Sequence, residues 1–233
     1  MKKPFILKTL YLLFLPLIYI SAIAQTAAIP GTHKRFGIDV DMGTGIPLSK
    51  DIHSIFYTGF NISVGGKMAV LPGKKLWIKP VAGCKVYSKM SGGSDQNTTE
   101  TFITVKAGIE LQYLAIQGRK YAFYPLLRVD HNWSKNYFSK TSDVSQVGNI
   151  QVSHVSVSDD YLKGNGYAFD AGFMIVSKSH WYLRADYEYY RPSLKVYPDL
   201  VKEALAQGIY MPSTIQLNCS TINLGLGCNF NFR

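Results

Sequence analysis

Arg128-Val129-Asp130-His131-Asn132-Trp133-Ser134 holds the residue types of a hydrolytic pair. A histidine that takes a proton from a serine must lie within hydrogen-bond reach of it. On an extended strand, residues two apart share a face and residues three apart do not. His131 and Ser134 are three apart, so a strand here sends them to opposite faces. Arg184, Asp186 and Glu188 form a second candidate, at steps of two on one face, with Arg128 and Asp130 facing them from another strand. Paired carboxylates do acid–base work when a cleft admits substrate. In a closed interior they form ion-pair networks, which is how we read these. His33, His53, His154 and His180 are scattered, and no pair has metal-ligand spacing. Cys84, Cys219 and Cys228 contain no Cys-x-x-Cys and read as small structural hydrophobes. With no phosphate loop and no nucleophile elbow, we expect no catalytic residue, no cofactor site and no metal site.

These residues are carried by segments that alternate with period two, the mark of a strand with one apolar face. The pattern recurs about eight times. Phe36, Ile38, Val40 and Met42 open the series, followed by Phe60 to Val70 and Leu76 to Val86. Ile103 to Tyr113 and Tyr121 to Trp133 continue it, then Tyr167 to Ile175 and Trp181 to Tyr189. Ile222, Leu224, Leu226, Cys228, Phe230 and Phe232 close it. Ile215, Leu217 and Cys219 have the opposite parity to that last set, which predicts a bulge near Ser220-Thr221.

Short connections (71–75, 116–120, 177–180) alternate with long ones (about 43–55, 88–101, 135–165, 191–214). An up-and-down arrangement then gathers every short turn at one end and every long loop at the other. Asn97-Thr98-Thr99 matches a glycosylation sequon but reads as part of a polar loop. Residues 150–157 suggest a hairpin arm, and pairing of that arm within the membrane span would give ten strands rather than eight. Pro198 to Gly208 carries proline and an acid near its start, glycine at its end and Leu200, Val201, Ala204 and Leu205 on one side. This predicts a short amphipathic helix capping its own loop.

Met1-Lys2-Lys3, an apolar run broken by Pro16, and Ala22-Ile23-Ala24 before Gln25 read as a cleavable export signal over 1–24. Residues 25–233 would then form one barrel domain. Loss of Lys2, Lys3 and Lys8 takes the formal charge from +10 to +7. That excess suits a solvated surface or anionic head groups, and no nucleic-acid-binding motif accompanies it.

Which face looks outward is decided by composition. One face is apolar, with Tyr113, Tyr121, Trp181, Phe230 and Phe232 toward the turns and Trp133, Tyr167, Phe169, Tyr187 and Tyr189 toward the loops. Such girdles suit the two interfaces of a bilayer. The other face carries Asp39, Asp41, Glu110, Asp130, Asp170, Asp186 and Glu188 against Lys67, Lys79, Lys85, Lys106, Arg128 and Arg184. Near balance suits a lumen filled by ion pairs. The expected fold is all-β, an antiparallel up-and-down transmembrane barrel of about eight strands.

With its signal segment, its eight alternating segments and the closing Asn223-Leu224-Gly225-Leu226-Gly227-Cys228-Asn229-Phe230-Asn231-Phe232-Arg233, the chain resembles small Gram-negative outer-membrane barrels of the OmpA/OmpX type. In that family the terminal residue is usually the aromatic itself, and here Arg233 follows it. The resemblance implies export through the periplasm, dealings with the barrel-insertion machinery, and residence among outer-membrane lipids. It carries no function, because this fold hosts adhesins, small channels, enzymes and structural proteins. Our first expectation is a structural or interaction scaffold that presents four external loops to a protein or surface partner. A narrow pore for small solutes or ions is the alternative, and a lipid-modifying enzyme is the second alternative.

Overall fold

The computed structural model describes residues 36–53, 56–70, 75–92, 96–147 and 150–232, with backbone alone for 51, 90–92, 96–99, 138–147, 150–161, 203 and 231–232. The expected signal segment falls outside the described residues. Eleven strands form: β1 (Phe36–Pro47), β2 (Gly59–Ala69), β3 (Leu76–Gly92), β4 (Gln96–Tyr113), β5 (Ile116–Gln117), β6 (Tyr121–Val147), β7 (Ile150–Ser177), β8 (Trp181–Tyr190), β9 (Ser193–Val196), β10 (Thr214–Gln216) and β11 (Thr221–Phe232). Two helices join them, the single turn α1 (Lys50–His53) and α2 (Pro198–Ala206).

Eight strands close on one another in the order β1-β2-β3-β4-β6-β7-β8-β11, and β11 returns to β1 from Phe36↔Phe232 to Pro47↔Thr221. Every pairing is antiparallel. The three remaining strands are short additions: β5 lies against the start of β6, and the β9–β10 hairpin lies against β7.

Alternation sets the faces as the sequence predicts. Along β8 every second residue from Tyr182 to Tyr190 is buried, and the residues between are exposed, save half-buried Ala185. Ile109, Leu127, Val129, Phe169 and Leu183 point out, and all thirteen expected lumen charges are buried. Tyr121 and Trp133 bracket the outer face of β6, twelve residues apart. At about 3.3 Å per residue and a tilt of about 40°, that is about 30 Å along the barrel axis, a bilayer's thickness. Among the described residues no helix is long and apolar enough to cross a membrane. Strands do the crossing.

Three expectations change in detail. Stretches 88–101 and 135–165 are not polar loops, because the ladder runs on through them. β3 and β4 pair out to Gly92↔Asn97, and β6 and β7 pair out to Val147↔Ile150 with register shifts beyond Asn136. Threonines and other β-branched residues there favour extended backbone. The stretch 150–157 is thus a continuation of a barrel strand, and the barrel has eight strands. The parity switch before β11 is no bulge. The Leu217 and Cys219 N–H groups bond the Pro192 and Tyr190 carbonyls, in the one register that pairs β10 with β9 and β11 with β8, so Ile215, Leu217 and Cys219 keep the inward parity and pack at the barrel mouth. Cys228 and Phe230 hold the outward parity but are covered, so Phe230 does not contribute to an exposed girdle.

α2 forms where expected. Pro198 opens it, Asp199 lies in its first turn, and Lys202 bonds Asp199 at 3.1 Å. Gly208 adopts φ +73°, so its N–H reaches the Leu205 carbonyl and the Ile209 N–H reaches that of Ala204. That paired geometry ends helices where glycine can turn left-handed.

Candidate functional site

Among the described residues, buried polar chemistry is concentrated in the barrel interior, and each member is positioned by strand register. Lys79 on β3 stands opposite Glu110 on β4, and their charged groups lie 3.0 Å apart. Glu110 also takes Arg184 Nη1 at 2.5 Å and Gln112 Nε2 at 2.6 Å. Asp39 on β1 receives Lys67 at 2.9 Å and Lys79 at 3.6 Å. Tyr182 donates its hydroxyl to Asp41 at 3.2 Å. Arg184 reaches Asp186 at 3.0 Å, and Asn223 donates to both Asp186 and Glu188. Glu188 binds Lys85 at 2.6 Å, with Lys106 at 3.7 Å. Removed from water, each charge survives only because partners of opposite sign and hydrogen bonds replace hydration.

The network is uneven. Arg128 holds Asp130 tightly at 2.6 Å but stands 3.7 Å from Asp170. Neither Asp170 carboxylate oxygen accepts a hydrogen bond from the described residues. Asp170 sits opposite Glu188 on β8, a like charge.

Two apolar plugs close this polar column. Toward the loops, Ile52 and Phe56 from the α1 loop fold into the mouth against Tyr87, Phe102, Tyr190 and Leu194. The Phe56 and Tyr87 rings lie 5.9 Å apart. Leu48 N–H bonds the Ser220 carbonyl at 3.0 Å, and Ser49 donates to the Asn218 carbonyl, so this loop is strapped to the segment preceding β11. Below the plug, Tyr190, Ser134 and Thr104 form a hydroxyl chain at 2.8 and 2.9 Å. Toward the turns, Leu126, Met174 and Tyr182 pack with Tyr124 and Val176. Between the plugs, one cavity, bordered by Lys106, Arg128, Arg184 and Asp186, measures about 10 Å³. That is room for about one water.

The residues singled out for hydrolysis stay apart. His131 lies outside, edge-on to Trp133 at 4.6 Å and to Tyr167 at 5.0 Å. Ser134 lies inside, within the hydroxyl chain. Asp186 and Glu188 do come together, with Arg184, Lys85 and Asn223 around them, as an ion network without a cleft. Among the described residues no group of three or more His, Cys, Asp or Glu is arranged to hold a metal ion. Cys84, Cys219 and Cys228 form no disulfide, and Cys219 is part of the loop-end plug.

The plugs are what sequence reasoning missed. Their signal is present as apolar residues at inward positions, namely Phe102, Leu126 and Met174, and as Ile52 and Phe56 four apart in a loop.

No family model matches the chain, and no curated protein does. Solved structures do. The attachment invasion locus protein Ail of Yersinia pestis is 13% identical, with a TM-score of 0.39, over 85% of this chain and 100% of its own. Neisserial surface protein A is 14% identical at 0.42, over 84% and 97%. The outer membrane protein OprG from Pseudomonas aeruginosa is 13% identical at 0.43, over 88% and 100%. Membrane placement of the present chain rests on its own geometry: a closed barrel, a belt of outward apolar side chains and an ionic interior. It is a transmembrane β-barrel of the outer-membrane type.

Proposed function

We propose that the protein is a closed anchor in the bacterial outer membrane, whose work is done outside the bilayer by the elements at its loop end. The observation that carries this reading is the lumen, filled by ion pairs and plugged at both ends. A barrel so filled has its interior committed to its own stability. What remains for recognition is the loop end: the arm formed by β6 and β7 beyond the girdle, the β9–β10 hairpin and α2. A protein or surface partner would meet these first.

Replacing residues 138–160 by a two-residue Asn-Gly turn tests this. The shortened protein is expected to insert and to keep its heat-modifiable gel mobility, while losing adhesion to surfaces or retention of an envelope partner. Unchanged adhesion and unchanged partner recovery would refute the scaffold reading. The narrow-pore alternative is disfavoured by the plugs. His131 and Ser134, the pair weighed for the enzyme alternative, lie on opposite sides of the barrel wall.

A further inference from the structure

Charge is divided unequally between the two ends of the barrel. Seven acids and six bases lie in the lumen, and the four loop segments together hold eight acids and eight bases. The turn end holds eight bases and no acid. Lys75, Arg119, Lys120 and Lys178 are the described members, all exposed, and the other four lie within two residues of the turn-side ends of β1, β3 and β11 in sequence. Residues 25–233 carry a formal +7, and all of that excess sits at this one end.

Main-chain hydrogen bonds tie the turns into one rim. Leu114 N–H reaches the Lys75 carbonyl at 2.6 Å, and Gly118 N–H reaches the Tyr121 carbonyl at 2.8 Å, closing a tight turn over Arg119 and Lys120. Lys178 N–H reaches the Lys120 carbonyl at 3.1 Å, one step beyond the Tyr121↔Ser177 pair. Asn229 N–H bonds the His180 carbonyl at 2.8 Å, which joins the rim to β11. Lys120 and Lys178 are thus held opposite each other as like charges, an arrangement that costs stability unless something compensates it. Ile116 lies on β5 between the Lys75 contact and the Arg119 turn, and it is 65% exposed.

Fixed cations about an exposed apolar side chain have the make-up of a protein–protein contact, an apolar centre inside a polar border. Positions set in advance by the backbone lower the ordering cost of association with a folded partner. A one-signed face also draws in a partner of opposite sign.

We propose that the turn end is a docking face for an acidic protein of the periplasm. The partner's carboxylates pair with Lys75, Arg119, Lys120 and Lys178, and one of its apolar side chains covers Ile116. The inference rests on the outer-membrane placement, which turns the short connections toward the periplasm. It is independent of what the loop end meets.

The test uses the full chain folded in nanodiscs of zwitterionic phosphatidylcholine, which leave both ends open to solvent. The probe is a monomeric designed helical bundle with one face of glutamates around a leucine, beside its counterpart with glutamine at every glutamate. Calorimetric titration at moderate salt is expected to show one glutamate bundle bound per barrel and no binding of the glutamine bundle. The variant K75Q/R119Q/K120Q/K178Q is expected to bind about 30-fold more weakly or worse, and K178Q alone about 3-fold. I116S should bind about 5-fold more weakly, through lost apolar burial. The loop-end variant K163Q/K195Q/K202Q should bind like wild type. In native mass spectrometry with phosphatidylglycerol, wild type and the quadruple variant should retain equal amounts of lipid. No binding by wild type, or equal binding by the quadruple variant, would overturn the proposal. So would wild-type affinity in I116S, which would reduce the face to unspecific charge, or less phosphatidylglycerol on the quadruple variant, which would assign the rim to head groups. Should the quadruple variant fail to fold, K178Q and I116S decide by the same criteria.

Discussion

Lys79 and Glu110 face each other across β3 and β4 at 3.0 Å, with neither side chain exposed. Glu110 is the more heavily used partner, because Arg184 and Gln112 also bind it. Glu110→Gln therefore removes the nearest carboxylate of Lys79, leaving Asp39 at 3.6 Å, and takes one of two from Arg184, which keeps Asp186 at 3.0 Å. It is expected to cost about 3–5 kcal/mol, the range for breaking a buried pair from one side. Lys67→Met should cost less, since Asp39 keeps Lys79 at 3.6 Å. Guanidinium unfolding of the reconstituted protein measures both. A loss below about 1 kcal/mol for Glu110→Gln would mean that the network is not carrying buried charge.

Asp170 should behave in the opposite way. Its nearest cation atom is Arg128 Nε at 3.7 Å, and Glu188 stands across from it. Seven acids meet six bases in the lumen, and Asp170 is the acid held least. Asp170→Asn removes like-charge repulsion at little Coulombic loss. It is expected to be neutral or to stabilise by up to about 1 kcal/mol. The same unfolding assay checks it, and a cost near that of Glu110→Gln would contradict the uneven network.

Two glycines give an internal contrast. The Tyr182 ring lies over Gly227 on the neighbouring strand, and a Cβ added there would meet the ring at 2.3 Å. Gly66 faces outward, and a Cβ there meets nothing within 4 Å. Gly227→Ala is expected to cost about 1–3 kcal/mol through overpacking. Gly66→Ala is expected to be neutral or to stabilise by up to about 1 kcal/mol by restricting the unfolded chain. Equal effects at the two sites would contradict the lumen packing.

Much of this was legible in the sequence, for physical reasons. Strand period fixes which side chains share a face, so Asp39, Lys79, Glu110 and Arg184 were assignable to one interior before any pairing was known. Opposite parity likewise separated His131 from Ser134. What periodicity does not encode is which strand partners which residue at a distance. The Lys120–Lys178 contact depends on the register of β6 with β7. The plugs were hidden for another reason. Phe102 and Leu126 break the polar alternation of their face, and isolated breaks look like noise until the strand ends converge. The arm beyond Asn136 resembles a loop in sequence because its polar residues mask a continuing ladder.

A filled lumen should also be electrically silent. In planar bilayers the wild-type protein is expected to give no conductance steps, because buried ion pairs fill the lumen and apolar side chains pack at both of its ends. Discrete, reproducible steps from protein shown to be folded would contradict the closed lumen and revive the pore reading.

Everything depends on apolar side chains meeting acyl chains rather than water, and site-directed spin labelling in reconstituted bilayers measures this most directly. In a variant with its three cysteines replaced, single labels are placed at Val64, Ile109, Leu127 and Val129, all outward and half-exposed. The labels should collide readily with oxygen, which dissolves in lipid, and poorly with a water-soluble nickel chelate. Nickel accessibility at these four sites equal to that at a label on Lys178, in a turn, would contradict the orientation of the barrel wall.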